Sequence, residues 1–173
     1  MSKYFLMSQL LFLGHGYSIL VVNYPGSIGY GQDYLTSLTG NIGELDVKTC
    51  GDFLLSALNE HKYLDPKNVM LYGGSHGGYL SCWLSVHEKY CKLFSSAVVR
   101  NPVTDLCSMM GTTDIPDWVI GQSTGVDIDD AYPPSVEQYK DMYAKSPVYL
   151  AKNAVTPMMV MLGKADRRVN YFN

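Results

Sequence analysis

Val69–Gly78 (VMLYGGSHGG) is the stretch on which the fold turns. Residues 69–73 form an almost continuous apolar run, as in a strand covered on both sheet faces. Gly73 to Gly77 spells G-x-S-x-G, and a helix-like stretch, Gly77–Tyr90, follows directly. Strand, G-x-S-x-G and helix in that order predict a nucleophile elbow, with Ser75 on a strained turn and its hydroxyl clear of the sheet edge. Glycine at 73 and 77 is expected to remove clashes two residues before and after the serine, with Gly74 and Gly78 completing the turn. The helix would aim its N-terminal N–H groups at the site, the backbone N–H of His76 being one oxyanion donor. The alternative is a glycine-rich strand–helix turn without catalytic role.

Other apolar runs repeat the pattern. Ser18–Asn23, Ser95–Val99 and Met158–Gly163 read as strands. Leu45–Glu60 reads as a helix with Leu45, Phe53, Leu54, Ala57 and Leu58 near one stripe, and Gly77–Tyr90 carries Leu80, Trp83, Leu84 and Val86. Strand–helix alternation at this spacing predicts an α/β fold with a mostly parallel sheet and flanking helices. From Thr104 to Pro147 the pattern loosens, punctuated by glycines and prolines. No internal repeat or low-complexity segment is visible.

An acid follows the last strand. Asp166 comes after MMVMLG through Lys164-Ala165, where α/β sheets place functional groups and where the chain order serine, acid, histidine puts the triad carboxylate. His76 is rejected as the base, because adjacent side chains on a sharp turn point apart while a base must come within about 3 Å of the hydroxyl. His15, His61 and His87 read as surface or capping residues. Only Arg167–Asn173 follow the acid and none is histidine, so the triad base is expected outside these residues.

Composition narrows the classes. The 173 residues are 47% hydrophobic and 17% charged with net charge -3, a single domain's worth of ordinary globular sequence. That excludes a disordered tail and argues against nucleic acid as a partner, since no basic stripe exists. Apolar runs such as 18–22 fall short of the roughly 20 residues that span a bilayer, so no membrane is expected. The four cysteines, Cys50, Cys82, Cys91 and Cys107, have no metal-finger spacing and read as reduced thiols of a cytoplasmic protein. Met1–Leu13 reads as an amphipathic helix ending at a glycine rather than a signal peptide.

GGSHGG, Arg100–Trp118 (RNPVTDLCSMMGTTDIPDW) and Met161–Val169 (MLGKADRRV) resemble the catalytic domain of the acylaminoacyl-peptidases (acylpeptide hydrolases), a branch of the prolyl oligopeptidase family of serine peptidases. Val21–Asp33 and Gly40–Cys50 fit the same region, so the resemblance runs over nearly the whole chain. It implies the α/β-hydrolase fold and a cytosolic serine hydrolase that releases N-acylated amino acids from short peptides. Carried over, Ser75 attacks to form an acyl-enzyme, Asp166 orients the base and the N–H of His76 helps hold the oxyanion. No metal or cofactor is implied, and a homo-oligomer of the full-length enzyme is compatible with it.

The resemblance also marks departures. The family's N-terminal β-propeller, first strands, HGGP-type loop and histidine-bearing segment have no counterpart here. Residues 1–173 therefore read as a partial catalytic domain, incomplete at both ends, poorly stable and inactive alone. Pro25 stands where the family usually has arginine, and Met109–Trp118 is the expected wall of the specificity pocket. Two other readings stay open: a non-catalytic short product or pseudoenzyme partner, and a carboxylesterase-like hydrolase.

Overall fold

The computed structural model describes residues 7–173. Helix α1 (Met7–Gly14) ends in glycine as the sequence expects, while residues 1–6 of the Met1–Leu13 stretch lie outside the described residues. Ser18–Asn23 is a correction. The segment has no regular secondary structure and pairs with no strand among the described residues, and Leu20 and Val21 are exposed. An apolar run of high β propensity becomes a strand only where a neighbour takes up its backbone groups.

Two helices lead to the sheet, α2 (Gln32–Thr36) and α3 (Leu45–Glu60). The buried stripe of α3 differs from the expected one. Asp46, Val47 and Gly51 face inward while Phe53 is exposed. Gly51 is required there, since a Cβ would lie 2.5 Å from the buried Tyr90 ring.

Strand β1 (Met70–Gly74) runs into α4 (His76–Val86), then β2 (Ser96–Arg100). Four short helices fill the loosened stretch: α5 (Leu106–Met110), α6 (Pro116–Thr124), α7 (Ile128–Ala131) and α8 (Val136–Ala144). Strand β3 (Met158–Met161) closes the sheet. The order is β1-β2-β3, all parallel, with Gly74 opposite Arg100 and Arg100 opposite Met161. The predicted parallel α/β arrangement is thus present.

Helix α4 is the centre of the core. Every residue from Gly78 to Val86 is buried, as expected of a helix apolar on most sides. Its two serines avoid an unpaired hydroxyl by donating one turn back, Ser81 to Gly77 O and Ser85 to Ser81 O, both at 2.8 Å. Tyr79 and Trp83 donate outward to the carbonyl of Lys145 at 2.7 and 3.2 Å. The Lys145 ammonium in turn donates to Gly40 O and Ser123 O, both at 2.6 Å, tying α4 to the loop before α3 and to the last turn of α6.

Coverage of the sheet is one-sided. In β2 Ala97 and Val99 are buried, whereas Tyr72 and Met159, which flank Val98 on the opposite face, are exposed; Val160, beside Val99, is exposed as well on the edge strand β3. The sequence expectation of strands covered on both faces therefore holds for one face among the described residues. The apolar outer surface is of the kind that drives association. No helix among the described residues is long and apolar enough to cross a membrane, and all four cysteines are unpaired.

Candidate active site

Ser75 sits between β1 and α4 with φ 55° and ψ −124°, a conformation costly for a residue with a side chain. Neighbours over-determine it. The Ser75 N–H donates to Arg100 O on β2 at 3.0 Å, and the Ser75 carbonyl accepts from Tyr79 N–H at 3.0 Å. The side chain is exposed and its hydroxyl carries no hydrogen bond among the described residues.

The turn depends on its glycines, though not as expected throughout. A Cβ on Gly73 would lie 2.2 Å from the Gly77 carbonyl oxygen, so glycine is obligatory there. At Gly77 a Cβ would meet nothing within 4 Å, which corrects the sequence reading. The second close approach is at Gly78, whose Cβ would lie 2.8 Å from Pro102 Cα. Gly74 has room, its nearest neighbour being Arg100 O at 3.4 Å. The clash partner of Gly73 is the carbonyl of residue 77, not a side chain there, which is why Gly77 itself is spatially free.

Because the first bond of α4 runs from Tyr79 to Ser75, the N–H groups of His76, Gly77 and Gly78 open toward Ser75's end of the helix. The dipole of the helix favours negative charge at this end. The predicted donor, the His76 N–H, is therefore without an acceptor among the described residues.

Asp166 follows β3 as Ser75 follows β1. Both stand beyond the carboxyl ends of parallel strands, with β2 between β1 and β3. The Asp166 Oδ1 accepts from Arg168 N–H and Val169 N–H, each at 2.9 Å, while Oδ2 carries no hydrogen bond among the described residues. The carboxylate is thus oriented by the backbone and keeps one oxygen for a partner.

Two clamps hold the acid loop. Asn101, with φ 42° at the end of β2, accepts from Gly163 N–H at 3.2 Å through Oδ1 and donates through Nδ2 to Val169 O at 3.5 Å. Thr113 donates to Arg168 O at 2.7 Å, and Asp114 takes the Arg168 guanidinium through Nε and Nη2 at 3.1 and 3.2 Å. The guanidinium holds the Asp114 carboxyl below its ordinary value. The Arg100–Trp118 stretch thereby reaches both halves of the site, since Trp118 meets the His76 ring edge-on at 5.8 Å. Met109, expected in the wall of a specificity pocket, is buried in the core instead, whereas Thr113 and Pro116 do line a surface cleft of about 550 Å³.

The four histidines lie elsewhere or are occupied. His15 has Nδ1 2.8 Å from Leu11 O, His61 caps the end of α3, and His87 caps the end of α4 and accepts from Lys89 N–H. His76 is not turned to Ser75 as a base: its Nε2 lies 2.9 Å from Oδ2 of Asp46. Asp46 is fully buried, and its other oxygen accepts from Gly43 N–H and Val47 N–H at 2.8 and 2.9 Å. Burial first, and then the charge of Asp46, push Tyr24 and Cys50 up to about 12 and raise Tyr79 further. Sequence reasoning missed Asp46 and Asn101. The signal available for Asp46 was a carboxylate in the first turn of an otherwise apolar helix face; Asn101 offered none beyond its place after a strand.

Known proteins agree with this architecture. Over 90% of this chain and 21% of the relative, the sequence is 43% identical to the acylamino-acid-releasing enzyme of Mus musculus. It is 40% identical to that of Arabidopsis thaliana over 91% of this chain and 20% of the relative. The chain thus spans about a fifth of the length of these relatives. The structure superimposes on the acylaminoacyl peptidase of Pyrococcus horikoshii with a TM-score of 0.82 at 23% identity, covering 96% of this chain and 26% of that one. That likeness carries the fold, an α/β hydrolase. The model of the prolyl oligopeptidase family, peptidase family S9, matches residues 4–173, and the chain belongs to that family.

Proposed function

We propose that these residues belong to a serine peptidase that releases N-acylated amino acids from the N-termini of short peptides. One observation carries the reading: an exposed serine in a strained strand-to-helix turn, at an open helix N-terminus, two strands from an oriented carboxylate. Ser75 attacks the carbonyl of the acylated residue, the N–H of His76 stabilises the oxyanion, and Asp166 orients the base. The base takes the Ser75 proton and passes it to the amine of the departing peptide as the C–N bond breaks. Water, deprotonated by the same base, then hydrolyses the acyl-enzyme to release the acylated residue and free Ser75. The similarity to acylamino-acid-releasing enzymes favours N-acylated peptides over simple esters as substrates. A cytoplasmic setting and reduced thiols accompany this reading, with no nucleic acid or membrane partner; a homo-oligomer of the full-length enzyme fits it.

The chain reads as part of a catalytic domain. None of its four histidines serves Ser75, so a polypeptide of these 173 residues alone turns over little or nothing. That leaves a second reading, a non-catalytic product, since His76 is engaged by Asp46 rather than by Ser75. The test is hydrolysis of N-acetylalanine p-nitroanilide and of a simple acyl ester by the protein at the length its cells make. Preferred hydrolysis of the anilide supports the peptidase. Preference for the ester supports a carboxylesterase, and turnover of neither supports the non-catalytic product.

A further inference from the structure

The buried contact between His76 and Asp46 has a geometry that the elbow motif does not require. His76 is the first residue of α4, so its backbone N–H and its side chain leave the same turn in two directions. The ring is walled by Tyr24, Tyr79 and Trp118, with centroids at 5.8, 5.2 and 5.8 Å. Nε2 faces a carboxylate oxygen at 2.9 Å, so its proton is assigned to Nε2 from that partner. Nδ1 is buried without a partner among the described residues, which a bare lone pair tolerates better than a second N–H would. The ring is therefore a donor to Asp46 through Nε2. Asp46, in turn, is a fixed acceptor. It lies in the first turn of α3, where the dipole favours an anion, and three donors surround it: Gly43 N–H, Val47 N–H and His76 Nε2–H.

We propose that Asp46 and His76 are positioning residues that hold the peptide between Ser75 and His76 in the orientation that presents the oxyanion donor. This rests on the reading of Ser75 as nucleophile. The Ser75 N–H is held by Arg100 and the Ser75 carbonyl by Tyr79, and the anchored imidazole adds the restraint on the far side of that peptide. Neither residue touches substrate. Asp46 contributes an acceptor carried on α3, so that the elbow is braced by a second helix as well as by the sheet. The requirement is for a donor at the position of Nε2.

The closing experiment compares His76→Gln, whose amide nitrogen reaches about where Nε2 lies, with His76→Leu, using the protein at the length its cells make. On N-acetylalanine p-nitroanilide, His76→Leu is expected to lower kcat on the order of ten- to a hundredfold with KM little changed, as a displaced oxyanion donor does. His76→Gln is expected to recover most of that loss. A structural role alone would lower the melting temperature without this split. If Ser75→Ala abolishes turnover while His76→Leu keeps kcat within about twofold, the proposal is overturned and the nucleophile reading stands. Turnover that survives Ser75→Ala, or no turnover in the unaltered protein, overturns both. Where His76→Leu fails to fold, nitrogen NMR of the histidine-labelled protein decides. A proton on Nε2 supports the pair, whereas an Nε2 without a proton contradicts it.

Discussion

Arg168 and Asp114 lie 54 residues apart in sequence and meet through two parallel contacts, Nε to Oδ1 at 3.1 Å and Nη2 to Oδ2 at 3.2 Å. The pair joins the loop that bears Asp166 to the segment that also packs Trp118 on His76. Its two bonds have the bidentate geometry that lysine does not provide.

Asp114→Ala is expected to loosen the acid loop without unfolding the protein, because the pair is exposed and such pairs add little stability. The expected sign is a fall in kcat of about tenfold, from a carboxylate displaced by a fraction of an ångström. Steady-state kinetics beside a thermal melt separates the two effects. A melting shift without a kinetic one would show that the pair serves stability alone.

Asn101 tests the other clamp. Asparagine tolerates φ 42° better than most residues, so Asn101→Gly keeps the backbone while removing both side-chain bonds. The expected cost is about 1 kcal/mol per lost bond, together with faster hydrogen exchange at the Gly163 amide. Asn101→Val forbids the backbone conformation as well and is expected to cost more. Equal stability of the two variants would refute the strain argument.

The glycines of the turn separate by geometry. Gly73→Ala forces a Cβ to 2.2 Å from a backbone oxygen and is expected to destabilise by about 1–3 kcal/mol. Gly77→Ala meets open space in a helix and is expected to change stability by no more than about 1 kcal/mol, toward greater stability. Urea midpoints measure both, and a larger loss at 77 than at 73 would invert the reading of the elbow.

Asp52 gives a pH dependence. Hydrogen bonds from Lys89, Lys48 and the Tyr90 hydroxyl hold its carboxyl below the ordinary value. A depressed folded value stabilises above the unfolded one, near about 4, and the stabilisation fades as pH falls through the folded one. Asp52→Asn is therefore expected to lower the melting temperature at neutral pH, with the gap to the unaltered protein narrowing below about pH 4. A gap that widens on acidification would contradict the assignment.

Some of this was legible in the chain and some was not. VMLYGGSHGG fixes strand, turn and helix because glycine and apolar run constrain the backbone locally, and the structure places β1, Ser75 and α4 there. That Asp166 follows a strand was legible, and the structure places it in the loop after β3. Asp46 was not, because its worth lies in a bond across 30 residues that no spacing rule encodes. Phe53 misled because an aromatic on a helix need not face the core when a glycine, Gly51, lets Tyr90 approach instead. Ser18–Asn23 misled for a different reason: β propensity describes a residue's fitness for a sheet, and pairing decides whether the sheet is there.

The most direct measurement is the rate of N-acetylalanine p-nitroanilide hydrolysis by the protein, at the length its cells make, with and without Ser75→Ala. Ser75 as nucleophile predicts a fall of several orders of magnitude, with the variant still folded and KM for residual turnover little changed. Hydrolysis that proceeds at the unaltered rate in Ser75→Ala would contradict it.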